Sequence, residues 1–542
     1  MTTWRPAPGK LVTRWGAEVS PENAWQEYPR PQLTRPQWLN LNGLWDYAIA
    51  PVAVEMVLEY NSQILVPFPL ESALSGVKRA LQPTERLWYH RSFTIPEEWR
   101  GQRVLLHIGA SDWQTSAWLN GQWLGVHQGG YLPFQFELTP FLQARDNELV
   151  VAVWDPTDTH WQARGKQVLS PRGIWYTAIS GIWQTVWLEA VPETYIAGLK
   201  ITPELDSGSV LVQARLDGPE AESLPIRVTA LAEGKPIARG EASGGETLHL
   251  AIPDAHPWCP DDPYLYDLVM EAGSDRVESY FGMRKFSLGH DAQGRVRLCL
   301  NNQPLFQYGP LDQGYWPDGL YTPPSAEAMR FDLEQIKRLG CNMLRKHVKV
   351  EPARFYYDCD RLGLIVWQDM PNGAKEVGEL PSLLSILFGS RRKDHSYRQA
   401  GRADPESRQD FRGELQEMVD HLSNFACIGM WVPFNEGWGQ FDARATAEWL
   451  AYYDPTRPVD HASGWYDQGG GDCKSLHVYF KALPVVKPEK KRAMVLSEFG
   501  GYALKLEGHL WNPAVEFGYR KYATREALTE AYLELLETQL KP

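Results

Sequence analysis

The chain has 542 residues, 43% of them apolar and 22% charged, with a formal net charge of -13. This length predicts two to four domains, and the acidity argues against a nucleic acid or an anionic membrane surface as partner. The start, "MTTWRPAPGK", lacks the apolar core of a signal peptide, and no run of about 18 apolar residues is present. Six cysteines are scattered without a C-x-x-C pair, so we expect free thiols in a cytoplasmic protein.

The first two regions of the chain have the pattern of β-domains. Residues 1–191 contain short strand-like runs between turn residues, such as "GLWDYAIA", "RVLLHIGA" and "NELVVAVW". Their spacing and frequent aromatic residues predict a β-sandwich. Residues 192–289 contain shorter alternating runs, such as "SVLVQARL" and "PIRVTALA", and predict a second, smaller β-domain.

The pattern changes after residue 290, where strand-like and helical segments alternate. "PSAEAMRFDLEQIKRLG" reads as a helix that Ser325 caps, and "NMLRKHV" and "LIVWQDMP" read as strands on either side of another helix. Such alternation predicts parallel strands joined by helical crossovers, as in a (β/α) barrel. A closed barrel has eight strands, whereas the sequence offers seven. We place these strands near residues 305, 343, 364, 428, 458, 475 and 494.

Two of these strands end in a glutamate. Glu436 follows an apolar run in "WVPFNEGWGQF", and Glu498 follows another in "AMVLSEFGG"; glycines come after both. Chemistry in such barrels takes place at the carboxyl ends of the strands, and a facing pair of carboxylates can hydrolyse a glycosidic bond. Either glutamate alone is better explained as a helix cap or as the partner of an arginine. The matched placement of both favours catalysis.

The same motifs resemble those of a known enzyme family. "NE" and "SEFG" resemble the acid/base and nucleophile motifs of retaining glycosidases. Upstream, "YPRPQLTRPQWLNLNGLWDYAI", "SGIWQTVWLE" and "SYFGMRKFSL" look like glycoside hydrolase family 2. The resemblance implies a jelly-roll sugar-binding domain at 1–191, an immunoglobulin-like β-sandwich at 192–289, and a (β/α)8-type catalytic barrel at 290–542 that lacks its eighth strand.

The resemblance also implies roles for four residues. Glu436 would be the general acid/base and Glu498 the nucleophile. Asn435 would bind the sugar 2-hydroxyl, a contact that strengthens in the transition state. Arg345 would keep the nucleophile ionised.

Other residues are weaker candidates for contact with the sugar. Asp312 is almost equally well explained by an Asx turn. His347 departs from the Arg-x-x-His spacing of β-galactosidases and β-glucuronidases. We expect no cofactor and no metal. The candidates for substrate contact are His477, Tyr479, Asp312, Asp369, His347, Trp465 and Trp511.

The expected activity is removal of one terminal sugar by an exo-acting retaining glycosidase. A β-galactoside or an α-L-arabinopyranoside is the favoured substrate, and β-glucuronides and β-mannosides stay open. The alternative is a carbohydrate-binding relative without turnover, either inactivated or truncated. The expected partner is a glycoside or oligosaccharide.

Two further expectations concern the barrel. The polar insertion at about 372–406 and the aromatic stretch from Tyr502 to Tyr522 are expected to wall the sugar pocket. The missing eighth strand predicts that the chain is a truncated product, or that another copy covers the gap in a homo-oligomer. An isolated monomer would then be weakly active.

Overall fold

The computed structural model describes residues 4–9, 11–375, 393–479, 487–515 and 517–540. Three units follow one another along these residues: two β-sandwiches and a barrel of parallel strands and helices. None of the helices described is long and apolar enough to cross a membrane.

The first unit consists of antiparallel sheets. Its main sheets have the strand orders β1-β14-β5-β9 and β3-β2-β4-β10-β7-β8. Apolar side chains from both sheets, such as Trp45, Leu106 and Val151, meet in one buried core. The strands are β1 (Trp38–Asn40), β2 (Gly43–Pro51), β3 (Ser62–Val66), β4 (Glu85–Phe93), β5 (Arg103–Ile108), β6 (Ser111–Asp112), β7 (Gln114–Leu119), β8 (Gln122–Gln128), β9 (Phe134–Glu137), β10 (Asn147–Trp154), β11 (Gln167–Val168), β12 (Tyr176–Thr177), β13 (Gly181–Ile182) and β14 (Val186–Val191).

The second unit is a smaller sandwich with sheet orders β15-β16-β19 and β18-β17-β20-β21. Its strands alternate between buried and exposed side chains, as β20 shows with Tyr266, Leu268 and Met270 buried. This period of two gives each sheet one apolar face, and the two faces form a separate core. The strands are β15 (Tyr195–Glu204), β16 (Ser209–Asp217), β17 (Pro225–Ala232), β18 (Lys235–Ser243), β19 (Thr247–Ala251), β20 (Tyr266–Ala272) and β21 (Asp275–Phe281).

A small antiparallel sheet leads into the third unit, in which the strands are parallel. The small sheet contains β22 (Phe286–His290), β23 (Val296–Leu300) and β24 (Gln303–Pro304). The strands that follow are β25 (Leu311–Asp312), β26 (Met343–Lys346), β27 (Ile365–Asp369), β28 (Ile428–Val432), β29 (Cys473–Val478), β30 (Ala493–Phe499), β31 (Tyr502–Leu504) and β32 (Arg520–Tyr522). The α-helices are α1 (Ala326–Arg338), α2 (Ala353–Leu362), α3 (Pro405–Leu422), α4 (Ala443–Tyr453) and α5 (Arg525–Leu535).

Local sequence explains where α1 begins and ends. The Ala328 N–H donates to Ser325 Oγ over 3.1 Å, which satisfies one of the free donors of the first turn. Met329 and Leu333 are buried on one face. Gly340 follows the helix with φ +80°, a conformation that glycine adopts without steric cost.

Parallel pairing places the strands of the barrel in the order β25-β26-β27-β28. The fifth position is held by two parallel bridges, Trp431 with Val459 and Asn435 with Ser463. The pair β29-β30 completes the sixth and seventh positions. Within the described ranges, no strand pairs with the free side of β30 or of β25.

The first barrel strand lies later in the chain than the sequence predicted. We expected it in "PLFQYG", near residue 305, whereas the parallel ladder begins at Leu311. Gln303 and Pro304 pair back onto β23. The Tyr308 N–H donates to the Asn342 side chain over 2.8 Å rather than to a strand backbone. Tyr308 O still accepts from the backbone N–H of Asn342 over 3.0 Å, so the segment lies beside the start of β26, and regular pairing begins only at Leu311.

Candidate active site

Glu436 and Glu498 meet at one end of the barrel. Glu436 lies just after β28, and Glu498 lies in β30, one residue before its end. One carboxylate oxygen of each glutamate and one ring nitrogen of His477 lie within 4.8 Å of one another. The parallel strands therefore bring together the two carboxylates that the sequence singled out.

The backbone at Glu436 has an unusual conformation. Its φ is +51°, in the left-handed region that residues other than glycine rarely adopt. The Glu436 N–H donates to Ser463 O over 2.8 Å, and this bond holds the turn in place. Gly437 follows with φ +78°, and a Cβ there would lie 2.2 Å from the Tyr466 ring. Strain of about 1–3 kcal/mol at such a residue is typical of functional sites.

His477 lies between the two glutamates. Its Nδ1 is 2.7 Å from Glu436 Oε1, and its Nε2 is 3.6 Å from Glu498 Oε1. The same Nε2 is 3.1 Å from Ser463 Oγ. The imidazole is buried, so these contacts fix the ring and link the two carboxylates through one side chain.

Arg345 holds Glu498 from the opposite side. Its Nη1 donates to Glu498 Oε1 over 3.0 Å, and Nε and Nη2 donate to Asp369 over 2.9 and 3.0 Å. Nη2 also donates to Asn435 Oδ1 over 2.9 Å. Because Asn435 accepts through Oδ1, its NH2 group is left for another acceptor.

These neighbours determine the charge state of Glu498. Burial would raise the pKa of this carboxyl, but His477, Arg345 and the Tyr479 hydroxyl together lower it from 4.5 to about 2. Tyr479 donates a short hydrogen bond to Glu498 Oε2. Glu498 is therefore ionised at neutral pH, as a nucleophile requires.

Aromatic side chains border the two glutamates. Trp465 packs edge-on against His477, with ring centroids 5.8 Å apart. The rings of Tyr479 and Tyr519 lie 4.4 Å apart. Burial, followed by the charges of Glu436 and Glu498, raises the pKa of Tyr519 to about 12. Tyr519 belongs to the aromatic stretch that the sequence placed around the pocket.

The remaining predicted residues lie in different places. Asp369 pairs with Arg345, and His347 Nδ1 lies 2.7 Å from Asp369 Oδ2, so both support the arginine. Asp312 is paired with Lys346 in the strand register and accepts a hydrogen bond from its ammonium over 2.8 Å. Lys346 and Arg345 are neighbours in β26, so Asp312 and Lys346 lie on the opposite face of the sheet from Arg345. Asp312 is therefore not brought to the two glutamates. Trp511 is exposed on a loop.

The polar insertion at 372–406 is described only in part, because residues 376–392 lie outside the described ranges. Its far end is tied to the loop that carries Glu436. The buried Arg402 donates to Gly439 O over 3.2 Å, and its Nη2 donates to Asn372 O in a short hydrogen bond.

The sequence did not single out Lys166 and Trp438. Lys166 lies in a first-domain loop, and its ammonium is 5.3 Å from the ring centroid of Trp438, two residues after Glu436. Trp438 stacks on Trp175 at 5.0 Å. The dense mixture of basic and aromatic residues in "WQARGKQVLSPRGIW" was the available signal for this contact.

Glu436, His477 and Glu498 are of residue types that can bind a metal ion, and their donor atoms lie close together. In the part of the chain that the structure describes, no other group of three such residues does so. These atoms already bond to one another or to Arg345 and Tyr479. The donor atoms of this cluster are therefore already engaged by neighbouring side chains.

Three family models match the chain in consecutive segments. Residues 61–192 match the sugar binding domain of the glycosyl hydrolases family 2, residues 194–284 match a second model of that family, and residues 324–497 match its TIM barrel domain. The three models follow the order of the two sandwiches and the barrel.

Curated relatives carry the name β-galactosidase. The protein from Klebsiella pneumoniae (strain 342) is 27% identical over 495 residues, which cover 84% of this chain and 43% of that protein. The protein from Pseudoalteromonas haloplanktis is 25% identical over 482 residues, covering 80% and 43%. The chain thus spans less than half the length of these relatives.

Solved structures with the same fold are β-glucuronidases. The β-D-glucuronidase of Dictyoglomus thermophilum has a TM-score of 0.70 at 18% identity, covering 94% of this chain and 89% of that chain. The β-glucuronidase of Bifidobacterium dentium, in complex with coumarin-3-O-glucuronide, has a TM-score of 0.66 at 21% identity, covering 83% and 79%. The matching domains, in the same order and with the same fold, show that this chain belongs to glycoside hydrolase family 2.

Proposed function

We propose that the protein is a retaining exo-glycosidase that works by double displacement. The observation that carries this proposal is the close approach of Glu436 and Glu498, whose oxygens lie within 4.8 Å of His477 and of each other. Retaining enzymes need carboxyl groups about 5–5.5 Å apart, whereas inverting enzymes need about 6.5–9.5 Å to admit a water molecule.

In the first step, the ionised Glu498 attacks the anomeric carbon. The bond from that carbon to the leaving oxygen breaks, and Glu436 gives its proton to that oxygen. His477 holds the Glu436 carboxyl in position through the 2.7 Å bond to Oε1. Asn435, oriented by Arg345, offers its NH2 group to the sugar 2-hydroxyl, where the contact strengthens as the ring flattens.

In the second step, Glu436 acts as a base and takes a proton from a water molecule that attacks the same carbon. The bond to Glu498 then breaks and restores its carboxylate. The low pKa of Glu498 makes it a good leaving group here, so the same neighbours assist both steps.

A terminal β-galactoside or α-L-arabinopyranoside is the favoured substrate, because the curated relatives of similar sequence carry the name β-galactosidase. Lys166, beside Trp438, and Tyr519, whose pKa the charges of both glutamates raise, add side chains from two different loops around the site, and this supports cleavage at chain ends.

A panel of nitrophenyl glycosides tests this proposal. Glu498→Gln should abolish turnover of every substrate that the wild type cleaves. Glu436→Ala should slow poor leaving groups far more than activated ones, since the latter need less protonation. Glu448→Gln, on the exposed surface of α4, is the matched control. A fully active Glu498→Gln variant would refute the mechanism, and sugar binding without any turnover would favour the inactive carbohydrate-binding alternative.

A further inference from the structure

A loop of the first domain approaches the mouth of the barrel immediately before β11. The backbone around Lys166 is well fixed. The Gly165 N–H donates to the Tyr131 hydroxyl over 2.7 Å, and Lys166 O accepts from the Tyr176 N–H over 2.8 Å. The side chain of Lys166 therefore projects from a braced backbone.

Gly165 brings this loop close to the barrel. A Cβ at this position would lie 3.0 Å from Val348 O and 2.6 Å from the Tyr321 hydroxyl. Val348 follows β26, three residues after Arg345. Only a residue without a side chain allows so close an approach, so the sequence places Lys166 next to the exit of the strand that carries Arg345.

The Lys166 ammonium lies beside the loop that carries Glu436. Its nitrogen lies 5.3 Å from the ring centroid of Trp438. Burial lowers the pKa of Lys166, and the charges of Glu498 and Glu436 are the largest effects in the opposite direction. The charge of Lys166 in turn contributes to lowering the pKa of His347. The contact with Trp438, two residues after Glu436, therefore places the ammonium beside the loop that carries this glutamate.

Three cations of the neighbouring barrel segment, Arg345, Lys346 and Lys349, have anionic partners. Arg345 binds Asp369 and Glu498, and Lys346 and Lys349 share the Glu351 carboxylate. For Lys166, no hydrogen bond or ion pair of the ammonium occurs within the described portions of the chain. Lys166 is only partly buried, so its donors are open to water or to the acceptor of a bound ligand that replaces that water.

We propose that Lys166 is a specificity residue that donates hydrogen bonds to an oxygen acceptor of the sugar held between Glu436 and Glu498. This inference rests on the proposed function. An ammonium donates only, so its partner must be an acceptor, and either a hydroxyl or the carboxylate of a uronic acid meets this condition. The first domain thereby contributes directly to sugar recognition in the barrel.

Matched substrate pairs distinguish the two acceptors. Nitrophenyl β-galactoside and β-galacturonide differ at C6 alone, as do β-glucoside and β-glucuronide. Each pair is measured with the wild type, Lys166→Met, Lys166→Arg and the control Lys235→Met, which removes an exposed lysine from β18. Loss of a charged hydrogen bond predicts a fall in kcat/KM of about tenfold or more in Lys166→Met. Lys166→Arg should recover part of it, and Lys235→Met should match the wild type.

The outcomes separate as follows. A loss confined to the uronide of a pair assigns the carboxylate, and an equal loss on both members assigns a hydroxyl that they share; both support the proposal. A change of less than about twofold on every substrate, or no recovery in Lys166→Arg, would overturn it.

A binding titration keeps this inference separate from the proposed function. Galactose and galacturonic acid are titrated calorimetrically into Glu498→Gln, with and without Lys166→Met. If the wild type cleaves no glycoside, the proposed function fails, and this titration alone decides the role of Lys166. Weaker binding in the double variant supports the role, and unchanged binding overturns it.

Discussion

Replacing Arg345 by methionine should affect both the stability of the barrel and the charge state of the nucleophile. The guanidinium makes bonds of 2.9–3.0 Å to Asp369, Glu498 and Asn435. Methionine fills much of the same space without any donor. The variant leaves two buried carboxylates close together without the cation that pairs them.

The ion pairs and hydrogen bonds of Arg345 determine how much the substitution should change the folding free energy and the pKa of Glu498. Removing one member of a buried ion pair costs about 3–5 kcal/mol of folding free energy. Lowering the pKa of Glu498 from 4.5 to about 2 corresponds to about 3 kcal/mol in favour of its ionised form. Among the groups that lower the pKa of Glu498, His477 has the largest effect and Arg345 the next. Loss of the arginine should therefore raise this pKa by about 1–2 units.

The depressed pKa of Glu498 makes the stability of the folded protein depend on pH. A depressed pKa stabilises the folded protein above the ordinary value near 4.5, and this stabilisation is lost as pH falls toward about 2. In Arg345→Met this stabilisation should be smaller, and its loss should be complete at a higher pH than in the wild type. The acid limb of kcat/KM, which follows ionisation of Glu498, should move upward with it.

A matched control is available in the first domain. Arg35 is equally buried and donates to Asp275 over 3.0 and 2.7 Å, far along the chain from the glutamates. Arg35→Met should lose comparable stability in denaturant unfolding and leave the acid limb where it is. If Arg345→Met loses stability to the same extent but keeps the wild-type acid limb, Arg345 is structural and our account of Glu498 is wrong.

Three further substitutions have simple expectations. Tyr479→Phe removes the hydroxyl that lowers the pKa of Glu498, so the acid limb of the pH–rate profile should move to higher pH; an unchanged limb would contradict this. Gly165→Ala should push the Lys166 loop away from the barrel and lower kcat/KM, and wild-type kinetics would argue against the close approach. Ser325→Ala should cost about 1 kcal/mol in urea unfolding without changing kcat, and undiminished stability would mean that the cap is dispensable.

The glutamates could be predicted because their signals are local. Each lies at the end of a mainly apolar run and shortly before glycine, a pattern that is typical of a strand end in a parallel barrel. Asn435, beside Glu436, and Arg345, in "NMLRKH", were predicted from the resemblance to the family. Predicting that these residues lie on one side of the barrel needs no long-range contact information, because parallel strands have all their carboxyl ends on the same side.

Asp312 shows where local signals fail. Neighbouring residues of a strand point to opposite faces, so its role depends on a register that a two-residue strand does not reveal in sequence. Pairing with Lys346 rather than Arg345 turns its carboxylate away from the glutamates. The first barrel strand was also misplaced, because the Tyr308 N–H bonds to the Asn342 side chain and regular parallel pairing begins only at Leu311.

Lys166 lies beyond sequence reasoning for a different reason. It reaches the glutamates from a loop more than 250 residues earlier in the chain, through a close approach that depends on Gly165. Arg345 comes from the barrel strand and is fully paired, so its charge serves the nucleophile. Lys166 comes from a separate domain and keeps its donors for the ligand. A substitution in the sandwich domain can therefore alter the sugar preference without altering the catalytic residues of the barrel, because Lys166 and Arg345 lie in different domains.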